Sequence, residues 1–247
     1  MLLIDIGNSR IKAAYAEEGR LVELPAVATT AAPPIEAWQE KIASTAPLRR
    51  ILISNVAGPD IAGAFERLAF ERWQVEPEFV HPRLEFAGMQ TRYTDPAQLG
   101  ADRWLAALAA YHACGAAVCV VDAGTALTVD VVDQEGVHCG GLIAPGADLM
   151  SGSLTRGTAQ LASDGVEPAR GFATNTPDAI SLGCHLAVRG LLVEVASRLE
   201  QLASGTTFTW YLTGGGAGAV RAMLPMQHVY DPSLVLRGLA IFGETCR

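Results

Sequence analysis

The sequence has no C-x-x-C pair and no histidine at ligand spacing from a cysteine, so a structural zinc site is not encoded. Its five cysteines (Cys114, Cys119, Cys139, Cys184 and Cys246) are scattered and odd in number, which predicts reduced, mostly buried thiols in a cytosolic protein. Positive charge is short: 18 Lys and Arg against 26 Asp and Glu leave a net charge of −8. That argues against nucleic acid, whose binding face usually makes a domain basic. An anionic small ligand stays compatible, because backbone N–H groups and a few local cations can hold phosphate on an acidic protein. No basic stretch precedes the first strand-like run, so no signal peptide is expected. There is no Gly/Ser-rich linker, no low-complexity tract, no G-x-G-x-x-G and no G-x-x-x-x-G-K-[ST].

Half of the 247 residues are apolar and 18% are charged, an ordinary globular composition that suits one large domain or two of about 120 residues. The longest apolar run, Trp104 to Val121, approaches transmembrane length, but it contains His112 and Gly115, is rich in alanine and ends at Asp122. A helix, a turn at Gly115 and a buried strand describe it better than a membrane span.

The first half reads β-β-β-α-β-α-β. Strands are expected at Leu2 to Ile6, at Ile11 to Tyr15, at "LVELPAV" after an "EEGR" turn, at "RILISNV" and at "QVEPEFV". Helices are expected at "PPIEAWQEKIAS" and at "DIAGAFERLAFERW", the latter with Asp60 as N-cap. The second half opens the same way, with strands "AVCVVD", "ALTVDVVD" and "VHCGGLIAPG" and a "DQEG" turn before the third. A helix after Pro145, a long one near Asp178 to Leu202, a strand "TFTWYLTG", a helix from Ala217, a strand "QHVYD" and a helix from Ser233 follow. Between the halves lies "TRYTDPAQLGADRWLAALAAYHA", a loop leading into a strongly helical segment. The shared β-β-β start is the sign of a duplicated α/β fold.

Each half carries one acidic, glycine-bent turn, "DIGNSRIK" from Asp5 and "DAGTALTVD" from Asp122. Gly7 and Gly124 let the backbone come close to a ligand, Ser9 and Thr125 offer hydroxyl donors, and Lys12 adds a point charge. Asp5 and Asp122 repel phosphate, so their natural partner is a cation that bridges to it. The alternative is a pair of β-turns in which Asp accepts backbone hydrogen bonds. A third glycine stretch, "LTGGGAG" from Leu212, follows a strand and precedes a helix, which suits close approach of a nucleotide's sugar or base. Read locally, Asp102 in "GADRW" is a helix N-cap, Thr176 an N-cap before "PDAISLG", and Tyr93 a packing residue. The tryptophans Trp38, Trp73, Trp104 and Trp210 read as packing residues.

Together these residues resemble the acetate and sugar kinase/Hsp70/actin superfamily, and within it the type III pantothenate kinases. The resemblance rests on "DIGNSRIK", "YTDPAQLGADRW", "DAGTALTVD", "GGLIAPG", "NTPDAISLG" and "TGGGA", in that order across nearly the whole chain. It implies an α/β duplicated RNase H-like (actin-like ATPase) fold, with lobes at 1–95 and 96–247, each a mixed five-stranded sheet flanked by helices. It implies ATP-dependent phosphorylation of pantothenate to 4′-phosphopantothenate, the first step of coenzyme A biosynthesis, with Mg²⁺ and a monovalent cation (K⁺ or NH₄⁺). It further implies a cytoplasmic homodimer with the pantothenate pocket at the interface, and neither a nucleic acid nor a membrane as partner. The Ala-rich helix after Asp102 is the segment expected to pack between subunits.

By the same resemblance Asp5, Ile6, Gly7, Asn8, Ser9, Arg10, Ile11 and Lys12 form the first phosphate motif and, with Thr125, contact ATP. Asp102 is the general base. Tyr93, Gly100, Ala101, Asp102, Arg103 and Thr176 bind pantothenate, and Asp122 is a ligand of the monovalent cation. "TRGTAQL" resembles the family pattern without an assigned role. Arg103, with its planar fork, suits either the substrate carboxylate or a transferring phosphate. Other readings are a different phosphotransferase of the superfamily, a polyphosphate phosphatase, or a non-catalytic regulatory accessory factor.

Overall fold

The computed structural model describes residues 1–17, 19–29, 48–157, 171–202, 205–224 and 226–246. The helix expected at "PPIEAWQEKIAS", with Trp38, lies outside the described residues, as does the end of "TRGTAQL". The first sheet contains β1 (Leu2–Ile6), β2 (Arg10–Glu17), β3 (Arg20–Ala28), β4 (Ile51–Asn55) and β5 (Glu78–Phe79) in the order β3-β2-β1-β4-β5. β1 runs antiparallel to β2 and parallel to β4, and all five of its residues are buried. A strand walled in on both faces carries apolar residues at successive positions, which is why "LLIDI", Asp5 apart, shows no alternation. Pro25 sits in the edge strand β3, where the register slips between Ile11 and Ala13; a bulge at a sheet edge tolerates the missing donor.

The second sheet holds β6 (Glu85–Phe86), β7 (Met89–Thr91), β8 (Val118–Ala123), β9 (Ala126–Val132), β10 (Val137–Pro145), β11 (Thr209–Thr213) and β12 (His228–Tyr230). Its order is β12-β11-β8-β9-β10-β7-β6. If β8 is counted as a first strand, β8 to β12 repeat the 3-2-1-4-5 order of the first sheet, and β11 runs parallel to β8 and β12 as β4 does to β1. Both sheets are mixed and flanked by helices. This is the duplicated RNase H-like fold, with β6 and β7 added to the five strands expected in the second sheet.

The helices are α1 (Pro59–Trp73), α2 (Ala101–Cys114), α3 (Ala147–Gly157), α4 (Thr176–Leu202), α5 (Ala217–Val220) and α6 (Leu234–Thr245). The N-cap of α1 is Gly58, not Asp60, because Pro59, with its fixed φ, takes the first helical position and leaves Asp60 inside the first turn. "QVEPEFV" is extended as a paired strand only at Glu78 and Phe79, and α5 is a single turn. α2 ends at Gly115 in the left-handed conformation, and β8 begins three residues later, so the long apolar run is a helix and a strand.

By contact density the chain divides into two compact units. The first comprises Met1–Ala116, Val131–Gly140 and Ser233–Arg247, and the second Ala117–Asp130 and Gly141–Pro232. In the first unit one sheet face packs Leu2, Ile4 and Ile6 against Phe65, Leu68 and Ala69 of α1. α6 packs on β1 and β4 and also on α2, whose residues from Arg103 to Ala110 are buried. The apolar side of the Ala-rich helix is therefore covered by α6 of the same chain, not left for a second subunit. Phe86, Trp104 and Phe242 meet with ring centroids 5.0–6.5 Å apart, and Arg83 lies over Phe86 and Phe242. Such pairs add about 0.5–1.5 kcal/mol each beyond their burial and tie the β6–β7 hairpin to α2 and α6. Arg50 donates to the Gly243 and Cys246 carbonyls, holding the end of α6.

Candidate active site

Asp5 lies on β1 opposite Lys12 of β2 and beside the fully buried Ser54 of β4, so one face of the sheet presents a carboxylate and an ammonium together. Asp5 is 9% exposed. Beyond it the chain turns, with the Gly7 amide donating to the Arg10 carbonyl at 3.0 Å. A Cβ on Gly7 would sit 3.1 Å from that oxygen, hence glycine here. Thr29, buried at the end of β3, pins the turn: its hydroxyl donates to Gly7 O at 2.7 Å and its amide to Ser9 O at 3.0 Å. Ile6 and Ile11 are buried, Asn8, Ser9 and Arg10 are exposed, and Lys12 is half-buried. Only the turn's polar residues and Lys12 reach outward.

The second unit holds the related turn, one residue shorter: the Gly124 amide donates to Ala126 O at 3.0 Å. Two more glycines crowd it. A Cβ on Gly146 would lie 2.8 Å from Gly124 O and 2.9 Å from Thr125 O. Gly214, at φ +96°, backs onto Asp122 Oδ1 and Ala123 O so closely that any Cβ would collide with both. The Gly146 amide donates to Thr125 O at 3.0 Å and the Gly216 amide to Ala123 O at 2.7 Å. Three separated motifs, "DAGTA", "GGLIAPG" and "TGGGA", thus meet as bare backbone around the half-buried Asp122 and exposed Thr125. Backbone-lined hollows of this kind suit phosphate and sugar oxygens. Among the described residues no three His, Cys, Asp or Glu side chains cluster as a metal site. Asp122 with main-chain oxygens nearby is an all-oxygen donor set, which fits an alkali or alkaline-earth cation rather than a transition metal.

The "GADRW" segment opens α2 in the first unit. Gly100 occupies the N-cap and Asp102 the first turn, so Asp102 is not the cap. Its Oδ1 accepts the Arg103 amide at 2.8 Å, which fixes the half-buried carboxylate at the helix start. A Cβ on Gly100 would sit 2.7 Å from that same Oδ1. Ala101 is buried, and Arg103, 8% exposed, donates through Nη1 to the Tyr93 hydroxyl at 3.3 Å. Tyr93 is therefore partnered and half-buried, not a plain packing residue. Its amide donates to Thr91 Oγ1 at 3.2 Å, and Thr91 Oγ1 lies 3.1 Å from Nδ1 of the fully buried His138.

Thr176 starts α4 but does not cap it. Asn175 does, accepting the Asp178 amide at 3.0 Å and donating to the Asp178 carboxylate at 2.6 Å. Thr176 is exposed and lines a groove of about 810 Å³ in the second unit, with Met150, Leu154, Asn175, Ile180 and Cys184. Burial raises the Cys184 thiol pKa above its ordinary value. The structure thus joins Asp5 with Lys12, Tyr93 with Arg103 and Asp102, and Asp122 with Thr125. Thr29, Thr91, His138 and Asn175 were not singled out from the sequence. An Asx signal before proline marks Asn175, whereas the other three are placed only by strand pairing.

A family model described as Type III pantothenate kinase matches residues 1–198. A type III pantothenate kinase of Aromatoleum aromaticum is 38% identical over 251 residues, covering 99% of this chain and 98% of that protein. Among solved structures, a Campylobacter jejuni protein assigned to the Baf family of transcriptional activators superposes with a TM-score of 0.57 at 22% identity, over 99% of this chain and 98% of that one. The activator of the 2-hydroxyisocaproyl-CoA dehydratase from Clostridium difficile, solved with bound ADPNP, gives a TM-score of 0.52 at 12% identity, over 99% and 95%. At these identities the two structures speak to the fold alone.

Proposed function

The chain belongs to the type III pantothenate kinase family and is a kinase, and from that membership we propose that it transfers the γ-phosphoryl group of ATP to the primary hydroxyl of pantothenate, opening coenzyme A biosynthesis. The observation that carries this is the near full-length relationship, 38% identity over 99% of the chain, to a protein of that name. Phosphoryl transfer asks a protein mainly to position its reactants and to neutralise charge. Lys12 and the Asp5–Lys12 turn supply a cation and polar groups for the phosphates, and Thr125 with the glycine-lined backbone supplies a second set. Asp5 would hold Mg²⁺, which would offset phosphate charge, and Asp122 would hold K⁺ or NH₄⁺. Asp102, held by the Arg103 amide, accepts the hydroxyl proton. Arg103 and Tyr93 hold the substrate carboxylate, Gly100 and Ala101 shape the floor, and Thr176 contributes from its groove.

The lobes are assigned to 1–95 and 96–247, and the enzyme to the cytoplasm. It is a homodimer with the pantothenate pocket at its interface. Supporting this, Ile143, Phe172, Leu186 and Val193 in the second unit are 47–90% exposed. α4, which carries two of them, is apolar and long enough to cross a membrane by length and composition, and a second copy of the chain accounts for that surface. A coupled assay with ATP, Mg²⁺ and pantothenate, run with and without K⁺, tests the reading. Turnover that needs pantothenate and rises with K⁺ is expected. Phosphorylation of sugars, acetate or polyphosphate instead, or failure to complement a strain without pantothenate kinase, would retire it.

A further inference from the structure

Resting on the reading of Tyr93 and Arg103 as pantothenate contacts, we propose that Thr91 and His138 are positioning residues that set this enzyme's affinity for pantothenate by fixing the Tyr93 phenol. β7 ends at Thr91, directly in register with His138 of the parallel strand β10. The main-chain pairing is closed there by the Arg92 amide donating to His138 O at 3.1 Å. Tyr93 lies two residues past the strand, between the exposed Arg92 and Thr94. Side chains carry the order onward. Thr91 Oγ1 accepts the Tyr93 amide at 3.2 Å and lies 3.1 Å from His138 Nδ1, and the Tyr93 and His138 rings pack with centroids 5.8 Å apart.

Tyr93 is thus held at its amide by Thr91, at its ring by His138, and at its hydroxyl by Arg103 at 3.3 Å. A hydroxyl that accepts the Tyr93 amide still has its own proton to give to Nδ1, so one arrangement satisfies both partners. At the far end the guanidinium donates to the phenol oxygen. The phenol, accepting there, keeps its own proton for an acceptor such as the substrate carboxylate. His138 is fully buried, and the side chains between it and the substrate site are Thr91 and Tyr93.

The test is steady-state kinetics on the full chain, varying pantothenate and ATP separately. Thr91→Val swaps the hydroxyl for a methyl of similar size, and His138→Leu deletes Nδ1. Each is expected to raise KM for pantothenate about tenfold, as loss of a buried hydrogen bond does, with KM for ATP unchanged. Thr91→Ser and His138→Asn, which keep a hydroxyl and a polar group near Nδ1, stay within about threefold of the parent. The double variant is no worse than either single one, because both cut the same chain. Thr91→Val carries the test alone if His138→Leu does not accumulate. An unchanged KM for pantothenate, or equal rises in both KM values, overturns the inference while the kinase reading stands. A parent chain inactive on pantothenate overturns both.

Discussion

Gly238 offers a test of how α6 supports the site. It lies where α6 crosses α2, and a Cβ there would stand 2.7 Å from the Leu105 carbonyl carbon and 2.8 Å from Leu105 Cβ, closer still to the carbonyl oxygen. Carbon atoms rest at about 3.5–4.0 Å, and backbone cannot swing aside as a long side chain can, so Gly238→Ala must push the helices apart by roughly 1 Å. Overpacking of that kind costs about 3 kcal/mol at the upper end of its usual range. Replacing a helical glycine by alanine returns about 1 kcal/mol, leaving a loss of about 2 kcal/mol. For a chain of this size that lowers the unfolding midpoint by about 4–8 °C. The matched control is Gly63→Ala in α1, whose Cβ would meet only the tip of Arg67 at 3.6 Å. There the helix-propensity gain stands alone and the midpoint rises by about 2–4 °C. Differential scanning calorimetry on both variants reads the two shifts. Leu105 follows Asp102 and Arg103 on the same helix, so Gly238→Ala should also slow turnover. A midpoint for Gly238→Ala at or above that of the parent chain would refute the close-crossing argument.

Asp102→Asn should cut kcat by about 10²–10⁴ while the melting curve stays intact, and near-parent turnover would remove Asp102 as the base. Gly214→Ala forces a Cβ onto Asp122 and Ala123 at a φ of +96° and should raise KM for ATP about tenfold. An unchanged value would detach the "TGGGA" loop from the nucleotide. Burial, with the Asp130 carboxylate adding to it, pushes the Cys119 thiol far above its ordinary pKa of 9.0. The folded chain therefore holds that proton more tightly, so stability is full below about pH 9 and falls as pH rises beyond it, by up to about 1.4 kcal/mol per pH unit. Urea denaturation across that range should show the slope reduced in Cys119→Ala, and identical slopes would exclude Cys119 as its source.

What the sequence made legible was carried by local signals. β1 and β8 to β10 announced themselves as apolar runs broken at Asp–x–Gly turns, and "DQEG" as a turn between β9 and β10, where Asp133 accepts the Glu135 and Val137 amides. The β6–β7 hairpin escaped because its turn uses Ala87 at φ 49° beside Gly88, where Asn or Asp would have flagged it. Caps shifted by one or two residues, from Asp60 to Gly58 and from Thr176 to Asn175, since proline position decides between neighbouring candidates. The apolar side of α2 looked available to a partner because its cover, α6, lies more than 100 residues later. Thr91 and His138 stand 47 positions apart, and only the β7–β10 register brings them together.

The first unit is built from residues far apart in time as well as in sequence. Gly243 of α6 packs against the Met1 side chain and Leu52, and Arg50 grips the carbonyls of Gly243 and Cys246. During synthesis, residues up to Ala116 emerge first and must wait for Ser233 onward before their second sheet face and α2 are covered. At about 5–20 residues per second that wait lasts on the order of ten seconds, with apolar strand surface open to chaperones and to other nascent chains. A ribosome stalled before Ser233 therefore leaves the Asp5 turn and Asp102 on an unfinished scaffold, because the first unit lacks α6 until that segment has been made.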